Sequence, residues 1–494
     1  MLDGITKKPH QLFILLACYF AFQVMLRVAL SDSLDIDESE QIFLSQWFHL
    51  GYNAQPPFYN WVQTFLIHLF GPSVLILAAF KNTLLFLTYL FYFSAARLIT
   101  RDNGLAAVAT LGLLTIPQIA WESQRDLAHT VAATFAASAF IYGVFRALKT
   151  QQRLDYLFTG VAIGIAMTSK YNTLLIIACT LIACISMREY RWRVLNPKIF
   201  YAVVPALLIV TPHYLWVLNH LQLASGTTVA KISANAGETW WLNVMTGTQS
   251  LLSAILNFNA LTMLLFLLVF GRTFLKSTRA DSPEIRFLNR IFGTTAILLT
   301  ALVITGNVTD FKDRWLQPVL FLLPLYIVLK MNATAVVEQR ARIRFAAVAV
   351  TLMLVVSIGI FFRTAGASIT GKYCRLNLPY AAVSRHISDA TGEAPKVFVT
   401  NDYRIAGNLR MQFPSSSVVS TDMSHLGFDL TEKDVPMVIL SQGDDTETLN
   451  ELLRFAESLT GTKPGSKPEW QQLTSPCLYC AGAETASMTC TIRR

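Results

Sequence analysis

Residues 11–44 read QLFILLACYFAFQVMLRVALSDSLDIDESEQIFL, an apolar run followed at once by an acidic segment. A helix needs roughly 20 apolar residues to cross the hydrocarbon core of a bilayer, and residues 11–30 have that length. Lys7 and Lys8 precede the run, and no small-residue cleavage site follows it before the acidic residues. The run is therefore predicted to be a retained spanning helix with its N-terminus inside, not a removable signal peptide.

The composition of the whole chain agrees with a membrane protein. Its 494 residues are 53% hydrophobic and only 14% charged, whereas a soluble globular protein has about 25% charged residues. The net charge of +9 arises before residue 363, and the rest of the chain is close to neutral. A basic excess confined to the apolar part is typical of positive-inside topology, so we expect no nucleic-acid partner.

The apolar runs predict about eleven transmembrane helices. They lie at residues 11–30, 73–96, 104–120, 127–145, 155–168, 171–187, 199–218, 246–270, 291–305, 316–330 and 345–362. Basic clusters in alternate loops place the side of Lys7 and Lys8 in the cytoplasm. These clusters are Arg97/Arg101, Arg146/Lys149/Arg153, Arg188/Arg191/Arg193/Lys198, Arg272/Lys276/Arg279 and Arg340/Arg342/Arg344.

One lysine decides how residues 155–187 are divided. A single helix of this length is too long for one crossing at 1.5 Å per residue, and it would bury Lys170 at mid-membrane. Two short helices that turn at Ser169 and Lys170 place the lysine on the outer side. The apolar residues 61–70 are too few to cross, so they are predicted to form an interfacial helix on the outer face.

Residues 363–494 are predicted to form a separate periplasmic domain after a transmembrane domain of residues 1–362. Short strands alternate with amphipathic helices here, which is typical of a small α/β sandwich. No glycine-rich phosphate loop occurs in it, so it is assigned no chemistry. The predicted strands are 397–399, 418–419 and 437–440, and the predicted helices are 377–390, 403–412 and 446–459.

Four of the seven cysteines fall in this C-terminal segment. An even number of cysteines in an external domain favours structural disulfides, and Cys374, Cys477, Cys480 and Cys490 allow three pairings. The spacing of Cys477 and Cys480 also fits a metal or redox pair. No second such pair and no nearby histidine supports that interpretation, so we rank it below a disulfide.

The first external loop, residues 31–60, is dense in residues that can carry chemistry. A charge run is usually a solvated loop, but this one lies at the membrane edge and precedes a rigid Pro-Pro pair, which favours a functional role. If the loop is extended, the first two aspartates share a face, so that one carboxylate can act as a base while a neighbour orients a ligand. The candidate residues are Asp35, Asp37, Glu38, Gln55 and Tyr59.

Other outer loops carry cations and one further acid. Arg125 and Asp126 stand in the second loop, where Asp126 is either a helix cap or a second acidic residue of a site. Cations at the outer ends of spans are unexpected under the positive-inside rule, and they indicate ligand binding or, equally well, snorkelling to lipid headgroups. These outer basic residues are Lys170, His213, Lys312 and Arg314.

An acidic loop and outer cations around a membrane-embedded cavity suit a sugar carried on a polyprenyl phosphate. The phosphate is already a good leaving group, so cations need only neutralise the charge that develops on it. One carboxylate then suffices to deprotonate the acceptor hydroxyl, and in-line attack inverts the anomeric carbon. A glycosidase, in contrast, needs two carboxylates because its leaving group is poor.

The chain carries in order the motifs Asp37-Glu38, Gln55-Pro56-Pro57-Phe58-Tyr59, Arg125-Asp126, Ser169-Lys170-Tyr171, Pro212-His213 and Arg314-Trp315-Leu316-Gln317-Pro318. This ordered set resembles the GT-C glycosyltransferases, and within them the protein mannosyltransferase-like group (family 39) and the lipid A aminoarabinose transferases. The similarity covers about residues 10–330. The motifs GYNAQPP at 51–57 and ESQRDL at 122–127 are most similar to those of bacterial lipopolysaccharide galacturonosyltransferases.

The resemblance implies a GT-C fold and transfer of galacturonic acid from a polyprenyl phosphate to lipid A or core lipopolysaccharide, on the periplasmic face of the bacterial inner membrane. It implies Asp37 as the base and Asp126 as the second acidic residue. Lys170 and Arg314 are then ligands of the phosphate or of an acidic sugar. Mannose or aminoarabinose stays open as the donor sugar. Members of this family differ in metal dependence, and no compact His/Asp/Glu ligand set is visible here. We therefore assign no cofactor, and a divalent metal stays open.

Two other classes of protein stay open. A transporter or flippase of lipid-linked glycans would explain the spans and the outer cations. It predicts paired repeats and broken mid-membrane helices, which the sequence does not show. A non-catalytic scaffold whose external domain binds envelope components would leave the first-loop acids dispensable.

Overall fold

The computed structural model describes residues 2–493 except 278–279, 335, 429, 431–433, 462–468 and 481–484. Over these residues the chain is mostly helical, as the apolar runs predict. In chain order the helices are α1 Leu2–Lys7, α2 Pro9–Leu30, α3 Ile36–Leu44, α4 Phe58–Phe70, α5 Val74–Thr100, α6 Asn103–Leu111, α7 Ser123–Arg125, α8 Ala128–Thr150, α9 Arg153–Ser169, α10 Thr173–Ser186, α11 Arg188–Val194, α12 Phe200–Asn219, α13 Leu221–Ile232, α14 Trp240–Lys276, α15 Pro283–Ile304, α16 Asp313–Leu320, α17 Leu323–Thr334, α18 Gln339–Ala365, α19 Ala367–Thr370, α20 Tyr380–Thr391, α21 Tyr403–Gln412 and α22 Thr446–Thr460.

The predicted spans correspond to these helices. Within the described residues, 8 helices are long and apolar enough to cross a membrane, and two bent helix pairs raise the number to 10. One pair starts at α6 and bends by 75°, and the other joins α10 and α11 at 115°. The one predicted span that is not among these ten, residues 155–168, corresponds to helix α9, which has only 17 residues. The predicted break between two helices at Lys170 is confirmed.

Contacts divide the chain into two compact units. The first unit comprises Met1–Ala21, Leu50–Tyr59 and Lys81–Val356, and the second comprises Phe22–His49, Asn60–Phe80 and Ser357–Arg494. The division therefore follows packing and cuts through α2, α4, α5 and α18. The boundary expected at residue 362 separates the part of the chain in the membrane from the part in water, and it stays a prediction.

The first unit packs its helices closely through small side chains. Helix α8 is buried along most of its length and carries fully buried alanines such as Ala132 and Ala136. On α9, Gly160 approaches α12 so closely that a Cβ atom would lie 2.1 Å from the carbonyl oxygen of Ala202. Small residues at such crossings let helix backbones approach, which is how helices associate in a bilayer that is itself apolar.

The second unit contains a five-stranded sheet, and the predicted α/β character of the C-terminal segment is confirmed. Its strands are β1 Val397–Thr400, β2 Ser417–Ser420, β3 Met437–Gln442, β4 Gln471–Pro476 and β5 Thr485–Arg493, in the order β2-β1-β3-β5-β4. Strand β1 is parallel to β2 and β3, while β5 is antiparallel to β3 and β4. Strands β4 and β5 were not predicted, because β4 is a largely polar and exposed edge strand.

The segment after α2 does not meet the condition under which the two aspartates would share a face, because it is not extended beyond Asp35. Residues Ile36–Leu44 form helix α3, so Asp35 and Asp37 do not share a face as they would in a strand. The predicted interfacial helix is also longer than residues 61–70, since α4 begins at Phe58. Ile42 of α3 and Ile67 of α4 are buried in one apolar cluster.

The disulfides expected among the C-terminal cysteines are not formed, and all seven thiols are free. Cys490 shows why pairing fails at one of them. It is buried in the middle of β5, where the residues opposite are Leu440 on β3 and Gln471 on β4. A disulfide needs a second cysteine in direct register or contact, and neither neighbouring strand supplies one there.

Candidate active site

The acidic motif of the first loop forms the N-terminus of helix α3 in the second unit. Asp35 is the N-cap residue with an extended backbone, and its carboxylate accepts a hydrogen bond from the Ile36 amide at 3.0 Å. Glu38 reaches back and accepts one from the Asp35 amide at 3.0 Å. This reciprocal capping box satisfies amides that a helix start leaves without partners, and negative charge there is favoured by the helix dipole.

A buried ion pair fixes this helix to the end of α2. Arg27 donates to both carboxylate oxygens of Glu38, from Nε at 2.9 Å and from Nη2 at 2.6 Å. The same guanidinium donates to the carbonyl oxygens of Ser31 and Ser33 at 2.7 and 2.8 Å. Glu38, expected from the sequence to bind substrate, therefore has a demonstrated part in holding the helix and the turn before it.

Asp35 is held by cations from the far end of the chain. It is 3% exposed, and its Oδ2 accepts a hydrogen bond from Nη2 of Arg363 at 3.1 Å. Arg375 lies 4.0 Å from Oδ1. Arg27 and Arg363 were missed by the sequence reasoning. For Arg27 the available signal was an arginine in the last turn of an apolar helix, 11 residues before Glu38. Arg363 lies 328 residues from Asp35, and no local signal marked it.

Asp37 differs from its two neighbours because it is half-buried and occupies the second position of α3. It lies near Tyr403 of α21: burial raises the pKa of that phenol, and the charges of Glu40 and Asp37 raise it further. Glu40, also on α3, is half-buried as well and acts on the same phenol, so these two features separate Asp37 from Asp35 and Glu38 but not from Glu40.

Helix α21 fixes the position of α3. A Cβ atom on Gly407 would lie 2.1 Å from the carbonyl oxygen of Ser39, so only glycine allows the two helices to approach this closely. The next residue, Asn408, accepts from the Leu34 amide at 2.8 Å and donates to Oγ of Ser39 at 3.1 Å. Neither Gly407 nor Asn408 was expected from the sequence.

In the first unit, His129 lies near two of the predicted site residues, Lys170 and Tyr59. The Lys170 ammonium donates to Oγ1 of Thr130 at 2.7 Å, on the first turn of α8. The buried His129 ring lies next to it and 6.0 Å from the ring of Tyr59. In the loop segment before Tyr59, the backbone N–H of Gln55 donates to Oδ1 of Asn53 at 2.8 Å.

His213 anchors that loop segment to α12. Its Nδ1 lies 2.9 Å from the carbonyl oxygen of Leu50, and its Nε2 lies 3.1 Å from the Tyr171 hydroxyl. The ring also stacks on Tyr171, at 5.9 Å between centroids. Because both ring nitrogens lie against protein groups, these contacts support a positioning role for His213, next to the residue that follows Lys170.

A cavity of about 590 Å³ in the first unit contains the predicted cations Lys312 and Arg314, within the size range of small-molecule sites. Gln118 donates to Asp313 across it at 2.5 Å. Gln118 and Glu122 are the ends of a single π-helical turn, a feature often found at functional sites. The other lining residues are Pro117, Leu127, Ser250, Ser253, Ala254, Asn257 and Phe311.

The second loop contributes strain beside this cavity. Leu127, which follows Asp126, has a left-handed backbone with φ 68°, a conformation that costs a leucine about 1 kcal/mol or more and that tends to occur at functional sites. Asp126 is 9% exposed. Arg125 pairs with Glu122 at 2.5 Å and is not among the residues that line the cavity.

Two further polar features of the first unit were missed. Ser250, Ser253 and Asn257 share one face of α14 along the cavity, a helical spacing that was visible in an otherwise apolar run. Lys81 on α5 is only 5% exposed and donates to the carbonyl oxygen of Gln124 at 3.1 Å. A lysine inside a spanning segment is itself a sign of function.

Among the described residues, no group of three or more His, Cys, Asp or Glu side chains could hold a metal ion.

Two relatives are similar to the chain over nearly its whole length. The lipopolysaccharide core galacturonosyltransferase RgtB of Rhizobium johnstonii is 38% identical, over 98% of this chain and 97% of its own. RgtA of the same organism, also a lipopolysaccharide core galacturonosyltransferase, is 36% identical over 93% of each chain. The family model described as dolichyl-phosphate-mannose-protein mannosyltransferase matches residues 54–216.

The fold is similar to a solved structure. ArnT from Cupriavidus metallidurans, crystallised with bound undecaprenyl phosphate, superposes with a TM-score of 0.59 at 13% identity and 97% coverage of both chains. The fold, the apolar spans and the identity to the two relatives define a multi-span membrane glycosyltransferase of the GT-C type. The chain belongs to the family of the lipopolysaccharide core galacturonosyltransferases, and the resemblance indicated by its motifs is confirmed.

Proposed function

We propose that the chain is an inverting glycosyltransferase that moves galacturonic acid from a polyprenyl-phosphate carrier to lipid A, core lipopolysaccharide or another envelope acceptor. The observation that carries the proposal is the identity of 38% over 98% of the chain to a lipopolysaccharide core galacturonosyltransferase. The undecaprenyl phosphate bound to ArnT, whose fold is similar, supports a polyprenyl-phosphate donor.

Asp37 is the proposed base. Its carboxylate takes the proton of an acceptor hydroxyl as that oxygen attacks the anomeric carbon of the donor sugar. The new glycosidic bond forms while the bond from that carbon to the phosphate oxygen breaks, and the electron pair leaves with the polyprenyl phosphate. Asp35 and Glu38, which are bonded to Arg363 and Arg27, position this base within its helix.

The cations of the first unit are proposed to bind the charged parts of the donor. Lys312 and Arg314 line a common cavity, and fixed cations stabilise the charge that develops on a leaving phosphate. Lys170 is a further proposed ligand of the phosphate or of the sugar carboxylate. The remaining predicted contacts with the donor or acceptor are Gln55, Tyr59, Arg125, Asp126 and His213.

The proposed reaction needs no cofactor, because acceptor deprotonation and departure of a phosphate are both served by side chains. The proposed location is the bacterial inner membrane, with the N-terminus in the cytoplasm and the C-terminal residues 363–494 in the periplasm. This orientation follows from the distribution of lysine and arginine between loops.

The proposal is tested by sugar transfer in membranes that contain equal amounts of wild type, Asp37→Asn and Asp32→Asn. Asp32 is an exposed carboxylate just before α3 and is the matched control. We expect transfer from polyprenyl-phosphate galacturonate by wild type and by Asp32→Asn, and a loss of a hundredfold or more in Asp37→Asn, roughly the contribution of a general base.

Parallel assays use polyprenyl-phosphate mannose and aminoarabinose as donors. Transfer of either in preference to galacturonate would replace the proposed sugar and keep the reaction class. Full activity of Asp37→Asn would remove Asp37 as the base. A wild-type protein that transfers no sugar from any of the three donors would favour a flippase of lipid-linked glycans.

A further inference from the structure

The end of the last spanning helix, α18, and the residues that follow it form a basic cavity in the second unit. Its volume is about 450 Å³, and three of its lining residues are the cations Arg363, Lys372 and Arg375. None of the described residues that line it is acidic. The remaining lining residues are Phe362, Thr370, Tyr373 and Cys374.

The chain folds back on itself to assemble these cations. Arg363 lies in the last turn of α18, and the short helix α19 follows it. Gly371 then adopts a left-handed backbone with φ 63°, which glycine tolerates without steric cost. This reversal places Lys372 and Arg375 in the wall of the same cavity as Arg363.

One carboxylate balances part of this charge. Asp35 bonds Arg363 at 3.1 Å and lies 4.0 Å from Arg375. Lys372 is exposed and Arg375 keeps 42% of its side chain exposed, so both can reach an additional anion. Asp35 contacts two of the three cations and carries one charge, so the group keeps an excess of positive charge. Arginine and lysine pair most strongly with phosphate and carboxylate groups.

The rim of the cavity is aromatic. Tyr373 and Phe362 both line it. Tyr373 is 40% exposed, whereas Phe362 belongs to the spanning helix α18, where an exposed apolar side chain faces lipid. Ligand sites commonly combine such aromatic surface with a few charged groups that fix the orientation of the ligand. Cations beside exposed rings suit a charged sugar at the polar surface of a lipid better than they suit a bare ion.

We propose that this cavity binds an anionic group, phosphate or carboxylate, of the acidic glycolipid acceptor. The inference rests on the proposed glycosyltransferase function and adds the site that holds the acceptor. Asp35 contacts two of the cations and caps helix α3, which carries Asp37 two residues later. An anionic group bound by Arg375 and Lys372 therefore lies beside the start of the helix that carries the proposed base.

The first test separates acceptor from donor kinetics. Lys372→Gln and Arg375→Gln are compared with wild type, and Arg454→Gln, an exposed arginine on α22 of the same unit, is the control. We expect KM for the acidic acceptor to rise about tenfold in each of the two variants, the usual effect of losing one charged hydrogen bond. KM for the polyprenyl-phosphate donor should stay unchanged, as should both values in Arg454→Gln.

An acceptor whose phosphate and carboxylate groups have been removed or esterified provides the complementary result. Wild type should use it as poorly as the variants do, and the two substitutions should then have no further effect. Unchanged KM for the acidic acceptor in Lys372→Gln and Arg375→Gln, or an equal rise for the neutral acceptor, would overturn the proposal.

A binding measurement that needs no turnover separates this inference from the proposed function. Asp37→Asn protein in phosphatidylcholine nanodiscs is titrated with acidic lipopolysaccharide core acceptor, with and without Lys372→Gln. We expect about tenfold weaker binding when Lys372 is replaced, even though neither protein transfers sugar. If phosphatidylglycerol binds as tightly and displaces the acceptor, the cavity is a general anionic-lipid site and the acceptor proposal is wrong.

Discussion

The Arg27 guanidinium donates two hydrogen bonds to the Glu38 carboxylate, at 2.9 and 2.6 Å, and both side chains are about nine-tenths buried. Arg27 is the last basic residue of α2, and Glu38 closes the capping box of α3. The pair therefore joins the end of the first spanning helix to the helix that carries Asp37. Loss of this pair should therefore lower the stability of the protein, and it should affect sugar transfer only through that loss of stability.

Replacing Glu38 with glutamine leaves a buried guanidinium without its counter-charge. Breaking one side of a buried ion pair costs about 3–5 kcal/mol, so we expect Glu38→Gln to lower the thermal unfolding midpoint of the detergent-solubilised protein. Asp32→Asn removes an exposed carboxylate close by and should leave the midpoint unchanged. Equal midpoints for Glu38→Gln and wild type would contradict a stabilising role for this pair.

Gly407→Ala tests the contact between α21 and α3. The added Cβ would meet the Ser39 carbonyl oxygen at 2.1 Å, and a backbone atom cannot move away as a flexible side chain can. Overpacking of this kind costs about 1–3 kcal/mol, so we expect a lower unfolding midpoint and reduced transfer.

The control for that substitution is Gly226→Ala on α13, where an added Cβ meets nothing within 4 Å. It should be neutral or slightly stabilising, because alanine favours a helix over glycine by about 1 kcal/mol. If Gly407→Ala behaves like this control, the close approach of the two helices is not required.

Arg314→Gln tests the cavity of the first unit. If Arg314 meets the donor phosphate, its replacement should raise KM for the polyprenyl-phosphate sugar and lower kcat, together by about tenfold to a hundredfold in kcat/KM. Lys231→Gln removes an exposed cation at the end of α13 and should change neither constant. Both constants are obtained for each variant and for wild type from steady-state rates at varied donor concentration. Identical kinetics in wild type and Arg314→Gln would exclude Arg314 from donor binding.

The thiols of the second unit should react unequally. An unperturbed cysteine thiol has a pKa of about 8.5, and burial raises the pKa of Cys490 to about 11. About one in a thousand of the Cys490 thiols is therefore ionised at pH 8. Cys374, Cys477 and Cys480 are only half-buried. We expect them to be alkylated first at pH 8, with the Cys490 rate rising about tenfold per pH unit towards pH 11.

Mass spectrometry of peptides from native protein gives these rates directly. Cys490 modification as fast as that of Cys477 would contradict its burial. Resistance of the three half-buried cysteines until a reductant is added would show that disulfides form after all.

The chain's own sequence determined the elements whose signals are local. Spanning helices follow from apolar length alone, and the break at Lys170 follows because a lysine is costly at mid-membrane. In the C-terminal segment, helix Tyr403–Gln412 and the buried strands have apolar patterns that few other structures satisfy. The motif order likewise indicated the family before any contact was known.

Tertiary structure alone decided what the acidic motif is. Asp35 and Glu38 acquire their roles from Arg363, 328 residues away, and from Arg27, and no local pattern specifies a partner at such distance. The polar edge strand Gln471–Pro476 exists because β5 pairs with it, not because its residues favour a strand. The cations of the basic cavity meet only after Gly371 reverses the chain. Apolar burial is encoded along the chain, whereas the pairing of charges depends on which segments packing brings together.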